Sequence, residues 1–315
     1  MSNELKSLVI LNGGLGNQLF QLGRALTASD GRPVYINDTV GFPRKHTTDL
    51  ADLFSFNLTS FGTSIPMGEK LGVNRFANRM FLHFVVSNNS NLRNFLSGII
   101  FKIFKICNGK VLKGKWRLIL GEGSGWNSDR RDNINCVIFG YFQSWKWSST
   151  PRIRSQMMKL SPNYTSSLFE LLKEQGSKKR ILVVHRRIGD YSQDDTFGVL
   201  PIRYYQSAIK NCLDTNPIDE IWLFTDTPNA EFPIQVESVA KIPIREISQD
   251  LSPAETLELM RYGSCYVIAN SGFSWWGAFL SYAENPLVIA PAKWFKGMDD
   301  PREICPPNWV RLVSW

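Results

Sequence analysis

The chain has 315 residues, of which 43% are hydrophobic and 20% are charged, a composition that is typical of a globular protein. This length exceeds what one small core needs and predicts two domains. Five scattered cysteines without a Cys-x-x-Cys pair argue against a disulfide framework or a zinc site and fit a reducing compartment. The N-terminus lacks a long apolar run, so we expect no signal peptide or membrane anchor and a cytoplasmic protein.

The first half of the chain opens with a strand, a glycine-rich turn and a helix. An apolar run at 5–11 predicts the strand, and residues 19–26 after the turn predict the helix. Residues 33–37 predict a second strand. Residues 60–130 are expected to mix helices and loops, and 135–140 predicts a further strand.

The formal charge of +8 is concentrated in one segment of this half. Residues 70–117 contain ten Lys or Arg and no acid, which leaves 26 of the 36 basic residues against all 28 acidic ones elsewhere. The apolar run at 95–106 is interrupted by lysines and is shorter than the roughly 20 residues that span a bilayer. Residues 92–117 therefore predict either peripheral contact with the inner face of the cytoplasmic membrane or a surface helix packed on its own domain.

A polar break at 161–167 marks the expected domain boundary. We place a first domain at 1–160, a second at 161–300, and a tail at 301–315 that packs back on the first domain. The second domain alternates between short apolar strands and helices, which is typical of a doubly wound α/β domain with a parallel sheet. Its strands are expected at 180–184, 220–224, 264–269 and 286–290. Its helices are expected at 202–213, 252–262 and 274–284, with a capping box formed by Ser252 and Glu255.

Polar clusters follow three of these strands. They are the residues 185–190, the Thr-Asp-Thr at 225–227, and the Asn-Ser-Gly-Phe-Ser at 270–274. Ligands of parallel sheets bind beyond the carboxyl ends of the strands, so we expect one crevice to receive all three. Arg187 suits a phosphate, as does a helix N-terminus, and Asp226 suits a ribose or a base. The clusters predict a nucleoside diphosphate site.

Structural roles for the same residues stay open. Arg186 can form a surface ion pair, Asp226 can cap a turn, and Ser271 and Ser274 can cap the following helix. Metal use is not expected, because no Asp-x-Asp occurs and the three histidines, His46, His83 and His185, lack ligand spacing.

The N-terminal glycine-rich turn has a second interpretation. Gly14-x-Gly16 with Asp38 about twenty residues later is similar to a dinucleotide-binding turn, although Leu19 occupies the position of the third glycine. An NAD(P)-dependent oxidoreductase is therefore an alternative.

Four blocks of the chain, taken together, resemble the family 11 α-1,2-fucosyltransferases. They read Gly-Gly-Leu-Gly-Asn-Gln-Leu-Phe-Gln at 13–21, Gly-Tyr-Phe-Gln-Ser at 140–144, His-Arg-Arg-Ile-Gly-Asp-Tyr at 185–191, and Ile-Ala-Asn-Ser-Gly-Phe-Ser-Trp-Trp-Gly-Ala-Phe-Leu at 268–280. The likeness runs in order from residue 8 to about residue 310 and is weakest between 60 and 130.

This resemblance implies a GT-B-like α/β fold, with two Rossmann-like domains facing a central cleft. It implies GDP-L-fucose as donor, inversion at the anomeric carbon, no cofactor or required metal, and transfer to the 2-hydroxyl of a terminal β-galactoside. The first domain would bind this acceptor, a cell-surface glycan, and the second would bind the donor. The basic segment without an anchor suggests that the glycan is lipid-linked, as in O-antigen biosynthesis. Another fucosyl linkage and a non-catalytic carbohydrate-binding protein are alternatives; no nucleic acid partner is expected.

The resemblance also implies roles for single residues. His185 and Arg187 would contact the GDP diphosphate and the fucose, and Asn17 of the opposing domain would face the sugar. The residues that would line the rest of the donor site are Asp226, Asn270, Ser271, Phe273 and Ser274. Asp190 is either the general base or an anchor of its own loop.

The family pattern is broken at one position of the third block. The family usually has two adjacent arginines where this chain has Arg187 and Ile188. Neighbours on a strand point to opposite faces, so Arg186 is not expected to replace the missing arginine. Gly272 stands where the family often has threonine.

Overall fold

The structure is a computed structural model that describes residues 7–29, 34–41, 49–53, 61–62, 111–112, 116–120, 125–126, 135–228 and 231–315. The chain divides into two compact units. Unit 1 comprises Met1–Lys159 and Pro301–Ile304, and unit 2 comprises Leu160–Asp300 and Cys305–Trp315. The C-terminal residues are thus divided between the units.

Unit 1 is built on a six-stranded sheet in the order β3-β2-β1-β6-β5-β4, in which only the β4–β5 pair is antiparallel. Its strands are β1 (Ser7–Asn12), β2 (Val34–Gly41), β3 (Phe61–Gly62), β4 (Val111–Leu112), β5 (Trp116–Leu120) and β6 (Asn135–Phe139). Its helices are α1 (Leu15–Ser29) and α2 (Pro151–Met158), with short 3-10 turns at Asp49–Leu53 and Trp145–Trp147.

Helix α1 begins earlier than the sequence predicted. The glycine-rich stretch was expected to be a turn as far as residue 18, but only Gly13 and Gly14 separate β1 from the helix. Gly13 has a φ of 71°, which glycine adopts without a steric penalty. Leu15 and Leu19 are buried, so tertiary packing of the helix extends it over the first residues after the turn.

The prediction of helices and loops for 60–130 was wrong for the strands β3, β4 and β5. Strand β5 pairs with β6 in a continuous parallel register from Trp116 to Leu120. The neighbouring strand supplies its hydrogen bonds, which the local sequence does not reveal.

Unit 2 contains a fully parallel sheet in the order β12-β11-β10-β7-β8-β9. Its strands are β7 (Ile181–Arg186), β8 (Glu220–Thr225), β9 (Ile244–Glu246), β10 (Gly263–Val267), β11 (Leu287–Pro291) and β12 (Val310–Leu312). Its helices are α3 (Ser167–Lys178), α4 (Ile202–Thr215), α5 (Glu231–Val236), α6 (Pro253–Met260) and α7 (Gly272–Phe279), and a 3-10 turn lies at Asp190–Gln193.

The apolar strands of unit 2 form its core, as predicted for a parallel sheet covered on both faces. Residues 181–184 of β7 and 221–224 of β8 are all buried. The capping box of α6 is confirmed, since Ser252 Oγ accepts from Glu255 N–H and Glu255 Oε2 accepts from Ser252 N–H. The α/β class with mainly parallel sheets is therefore confirmed in both units.

The basic segment predicted to touch a membrane falls largely outside the described residues, as do His46, His83 and the side chain of Asp38. No helix in the described ranges is both long and apolar enough to cross a bilayer.

Candidate functional site

The strand order of unit 2 places a crevice between β7 and β10. From β7 the chain proceeds to β8 and β9 on one side, and then crosses to β10, β11 and β12 on the other. Loops that follow the two central strands therefore diverge at their carboxyl ends, which is where open parallel sheets bind ligands. The predicted polar clusters at 185–190 and 270–274 both follow these two strands.

Arg187 is the central cation of this crevice. Its Nη2 lies 2.8 Å from Asp190 Oδ1, and its Nε lies 3.2 Å from Asp226 Oδ2. The side chain of Asp190 is 66% exposed, so its pair with Arg187 contributes little to stability. An incoming anion can replace Asp190 at low cost while Asp226 keeps the guanidinium oriented.

Asp226 joins the ends of β7 and β8. Its Oδ1 accepts a hydrogen bond of 2.9 Å from the backbone N–H of Ile188, in addition to the Arg187 contact of its Oδ2. A Cβ atom added to Gly189 would lie only 2.5 Å from Oδ2, so the loop needs glycine for this approach. In the structure the carboxylate anchors the loop after β7.

His185 lies beside these residues and is neutral. The side chain is buried, and its ring centroid is 6.4 Å from that of Phe273. Burial, together with the charge of Arg187, lowers the pKa of His185 to about 3. Its Nδ1 is buried without a hydrogen-bond partner in the part of the chain that is described. His185 can therefore form one more hydrogen bond, but it carries no charge at neutral pH.

The turn after β10 leads into helix α7. Ser271 is the N-cap and accepts from Phe273 N–H at 3.3 Å, while Ser274 Oγ donates to the Ser271 carbonyl at 3.3 Å. The capping role considered for Ser271 is thus present, and the helix begins two residues before its predicted start. The first N–H groups of α7 and the positive end of its dipole therefore lie at the turn that follows β10.

Asn270 fixes this turn to the later part of the loop that follows β7. Its Nδ2 donates to the carbonyls of Phe197 at 3.0 Å and Gly198 at 3.2 Å. Its Oδ1 is buried and lacks a partner among the described residues. Together with His185 Nδ1, the crevice thus has two buried polar atoms that find no hydrogen-bond partner in the described part of the chain.

Arg186 points away from Arg187, as the strand alternation predicted. Its guanidinium lies 5.2 Å from the ring centroid of Phe232, and its Nε and Nη1 are buried without a hydrogen-bond partner in the described ranges. Phe232 belongs to α5, on the side of the sheet where Tyr205 packs against it. Arg186 therefore does not stand in for the arginine that Ile188 replaces.

Asn17, the remaining predicted site residue, lies in the first turn of α1 in unit 1. Its Oδ1 accepts a hydrogen bond of 2.8 Å from Gln143 Nε2. The structure thus joins two of the sequence blocks within unit 1, whereas all the other predicted site residues belong to unit 2.

Three residues at these sites were not singled out from the sequence. Tyr191 and Phe197 contact the predicted residues of unit 2, and Gln143 contacts Asn17. Tyr191 directly follows Asp190, so its position as an aromatic residue within a polar cluster could have indicated a role at the site. Phe197 acts through its backbone carbonyl, which no side-chain pattern can reveal.

Within the described ranges, no group of three or more His, Cys, Asp or Glu residues is arranged to hold an ion.

Sequence comparisons relate the chain to glycosyltransferases. No protein-family model matches it. The O-antigen biosynthesis glycosyltransferase WbnK of Escherichia coli is 24% identical over 325 residues, which cover 96% of this chain and 99% of that protein. An alpha-1,2-colitosyltransferase of Escherichia coli is 28% identical over 137 residues, 41% of this chain and 46% of that protein.

Fold comparisons relate the chain to a fucosyltransferase. The crystal structure of NodZ from Bradyrhizobium matches with a TM-score of 0.52 at 12% identity, covering 89% of this chain and 94% of that one. NodZ alpha-1,6-fucosyltransferase soaked with GDP-fucose matches with a TM-score of 0.53 at 12% identity, covering 89% and 93%. The match confirms the predicted GT-B-like fold class. Together, the sequence and fold comparisons support a glycosyltransferase that shares its fold with a fucosyltransferase.

Proposed function

We propose that the chain transfers L-fucose from GDP-L-fucose to the 2-hydroxyl of a terminal β-galactoside, as a galactoside 2-alpha-L-fucosyltransferase. The observation that carries the donor assignment is the crevice of unit 2. It combines the cation Arg187 with the N-terminus of α7 and with two buried polar atoms, His185 Nδ1 and Asn270 Oδ1, that have no hydrogen-bond partner among the described residues. A diphosphate with its sugar supplies the negative charge and the hydrogen-bonding groups that this set lacks.

The donor residues have separate roles in this proposal. Arg187 and the first N–H groups of α7 bind the diphosphate, and His185 and Asn270 bind the diphosphate or the sugar. Ser271 and Ser274 fix the α7 terminus, and Phe273 packs beside His185. Asp226 holds Arg187 through its Nε. Asn17 is proposed as a further residue for the sugar, on the likeness of its sequence block.

The proposed transfer inverts the anomeric carbon. The galactose hydroxyl oxygen attacks that carbon as the bond to the GDP oxygen breaks, and the bonding electrons leave with GDP. Arg187 and the α7 terminus stabilise the charge that grows on the diphosphate, which is the role a metal ion has in other enzymes. We therefore propose that no metal is required.

The proton of the acceptor hydroxyl needs a base. Asp190 is the candidate within this crevice, because its carboxylate is exposed and is released once the diphosphate takes its place on Arg187. The competing role is that of a loop anchor. Asp190→Asn distinguishes the two, since only loss of a base lowers kcat while leaving GDP affinity unchanged.

A second donor is favoured by one comparison. The colitosyltransferase aligns with part of this chain, and colitose lacks a hydroxyl group that fucose carries. Ile188, an apolar residue next to Arg187, would suit a donor with fewer hydroxyl groups. GDP-colitose is therefore the second candidate. The oxidoreductase alternative is not favoured, because the similar proteins are glycosyltransferases and Leu19 is fully buried.

The acceptor is proposed to be a galactose-terminated glycan of the cell surface, such as a lipid-linked O-antigen unit. The O-antigen glycosyltransferase that aligns with almost the whole chain supports this class. The basic residues 92–117 would bring the enzyme to the inner face of the membrane. Neutralising Lys102, Lys105, Lys110 and Lys113 should abolish sedimentation with anionic liposomes; unchanged sedimentation would contradict membrane contact through this segment.

The transfer assay tests the proposal directly. The purified chain is incubated with lactose and either GDP-fucose or GDP-colitose, GDP release is measured, and the linkage of the product is determined by NMR. We expect faster release with GDP-fucose and a product substituted at the galactose 2-hydroxyl. Preference for GDP-colitose would select the second donor, substitution elsewhere would reject the linkage, and GDP release without product would reject the acceptor.

A further inference from the structure

Tyr191 belongs to a closed ring of contacts between two loops of unit 2, the one that follows β7 and the one that follows β10. Its hydroxyl donates to the carbonyl of Asn270 at 3.2 Å. Its ring is stacked on that of Phe197, with centroids 5.0 Å apart. The carbonyl of Phe197 in turn accepts from Asn270 Nδ2 at 3.0 Å. Each of the three residues thus contacts the other two, and the loops after β7 and β10 are tied together at their ends.

The same tyrosine also supports Arg187. The guanidinium carbon of Arg187 lies 5.4 Å from the centroid of the Tyr191 ring, within range of a cation–π interaction. Asp226 binds the Nε of the same guanidinium. The carboxylate and the ring therefore fix the guanidinium from two directions, and among the described residues its Nη2 pairs with the exposed Asp190 alone.

The phenol of Tyr191 remains a hydrogen-bond donor under all ordinary conditions. Burial raises the pKa of Tyr191 to about 12, although the charge of Arg187 acts in the opposite direction. Because the hydroxyl keeps its proton, its bond to the Asn270 carbonyl does not vary between acidic and neutral pH.

We propose that Tyr191 is a positioning residue, which sets the spacing between the Arg187 guanidinium and the turn that leads into α7. It touches neither the diphosphate nor the reacting carbon. Its ring orients Arg187 and its hydroxyl holds Asn270, so that both walls of the crevice fit one diphosphate. This inference rests on the proposed donor site and adds the residue that keeps Arg187 and the turn before α7 at the spacing that one diphosphate requires.

Coupling between Tyr191 and Arg187 provides the test, because a residue that acts through another has little effect once that other residue is gone. The affinity for GDP is measured by titration calorimetry for the wild type, Tyr191→Leu, Arg187→Ala and the double variant. Tyr191→Phe retains the ring and removes the hydroxyl. Tyr164→Leu is the matched control, since that side chain is 87% exposed.

We expect Tyr191→Leu to weaken GDP binding about tenfold in the wild-type background and less than about twofold in the Arg187→Ala background. Tyr191→Phe should weaken GDP binding by about threefold, since it keeps the ring and loses only the hydroxyl, and Tyr164→Leu should have no effect. Melting temperatures of all variants are recorded, since a purely structural role would lower them without coupling to Arg187.

The outcomes separate this inference from the proposed function. If the wild type does not bind GDP, the donor site itself is wrong. If the wild type binds GDP but Tyr191→Leu has the same effect in both backgrounds, or none, the positioning role is overturned. Should Tyr191→Leu fail to fold, Tyr191→Phe decides: a loss of about threefold in GDP affinity, absent in the Arg187→Ala background, supports the role, and no loss contradicts it.

Discussion

At the scale of single residues, the function of Arg187 depends on its neighbours. Two carboxylates contact it, but they are not equivalent. Asp226 is only 21% exposed and also binds the Ile188 N–H, whereas Asp190 is 66% exposed and binds only Arg187 among the described residues. Asp226 therefore orients the guanidinium, while an anion can replace Asp190 on its exposed side. This is the arrangement that an anion-binding arginine needs.

Gly189→Ala tests the role of Asp226 as the residue that orients Arg187. The new Cβ would lie 2.5 Å from Asp226 Oδ2, so the carboxylate must move away from Arg187. The shift breaks the contacts of Asp226 with Arg187 and with the Ile188 N–H, and we expect the unfolding free energy to fall by about 1 to 2 kcal/mol while GDP binding weakens about tenfold. Calorimetric titration and thermal unfolding measure the two effects.

The control for this prediction is a double-mutant cycle with Asp226→Ala. When the carboxylate is absent, the added methyl group has nothing to displace, and Gly189→Ala should have no further effect on GDP affinity. Additive losses would mean that the methyl group acts on the loop by another route.

The sequence predicted which residues gather at this site, but not how they bind one another. His185, Arg187, Asp226 and the 270–274 turn follow from their positions after parallel strands. The contact of Asp226 with Ile188 N–H and that of Tyr191 with the Asn270 carbonyl involve backbone groups. Because every residue has such groups, no residue pattern distinguishes these contacts.

At the scale of elements, one carboxylate joins two helix ends within unit 2. The carboxylate of Glu255 accepts from Ser252 N–H within the α6 capping box, and its other oxygen accepts from Ser166 N–H at the start of α3. One side chain therefore accepts hydrogen bonds at the N-termini of two helices, where a negative charge is favoured.

Glu255→Gln is expected to change the response of the protein to acid. Burial alone would raise the pKa of Glu255, but hydrogen bonds from Ser166 and Ser252 outweigh it, so that the pKa lies below its ordinary value of 4.5. A carboxylate with a lowered pKa adds stability above its unfolded pKa, and this stability is lost as the pH falls through the folded value. Glu255→Gln should therefore be less stable than wild type at pH 7, with the difference shrinking below pH 4.5.

Urea unfolding across this pH range measures the difference. Glu237→Gln is the matched control, because Glu237 is an exposed residue near the end of α5. A stability difference for Glu255→Gln that stays constant down to pH 3 would contradict the account.

The longer elements were predicted better than the short ones. Strands β7, β8, β10 and β11 have buried apolar runs and were recognised within a few residues. Strands β9 and β12, of three residues each, were missed because their partners rather than their own sequences define them. Helix α7 begins earlier than predicted, since Ser271 rather than Ser274 is its cap.

At the scale of the whole molecule, the proposed donor-site residues of unit 2 come from segments that are distant in the chain. Residues 185–191 and 226 meet because β7 pairs with β8, and 270–274 joins them because the sheet order reverses between β7 and β10. The sequence predicted this convergence, since a doubly wound sheet creates it regardless of loop detail. The strands between 60 and 120 in unit 1 could not be predicted, because pairing with β2 and β6 determines them.

Hydrogen exchange should locate GDP on unit 2. Backbone N–H groups at 188–191 and 271–274 are expected to exchange more slowly with GDP, while α3 serves as an internal reference that does not change. NAD should slow exchange neither in these two segments nor at residues 13–17. Protection of residues 13–17 by NAD, without an effect of GDP, would contradict the assignment and restore the oxidoreductase alternative.

The transfer rate of Arg187→Ala tests the central claim most directly. Arg180 is the matched control, because it directly precedes the same strand and forms a comparable ion pair with Asp219, of 2.6 Å, at the opposite edge of the sheet. We predict that Arg187→Ala lowers kcat for fucose transfer from GDP-fucose by about 100- to 1,000-fold while the protein stays folded, and that Arg180→Ala retains the wild-type rate. A folded Arg187→Ala variant that keeps more than about a tenth of the wild-type rate would contradict the role of Arg187 in stabilising the departing GDP.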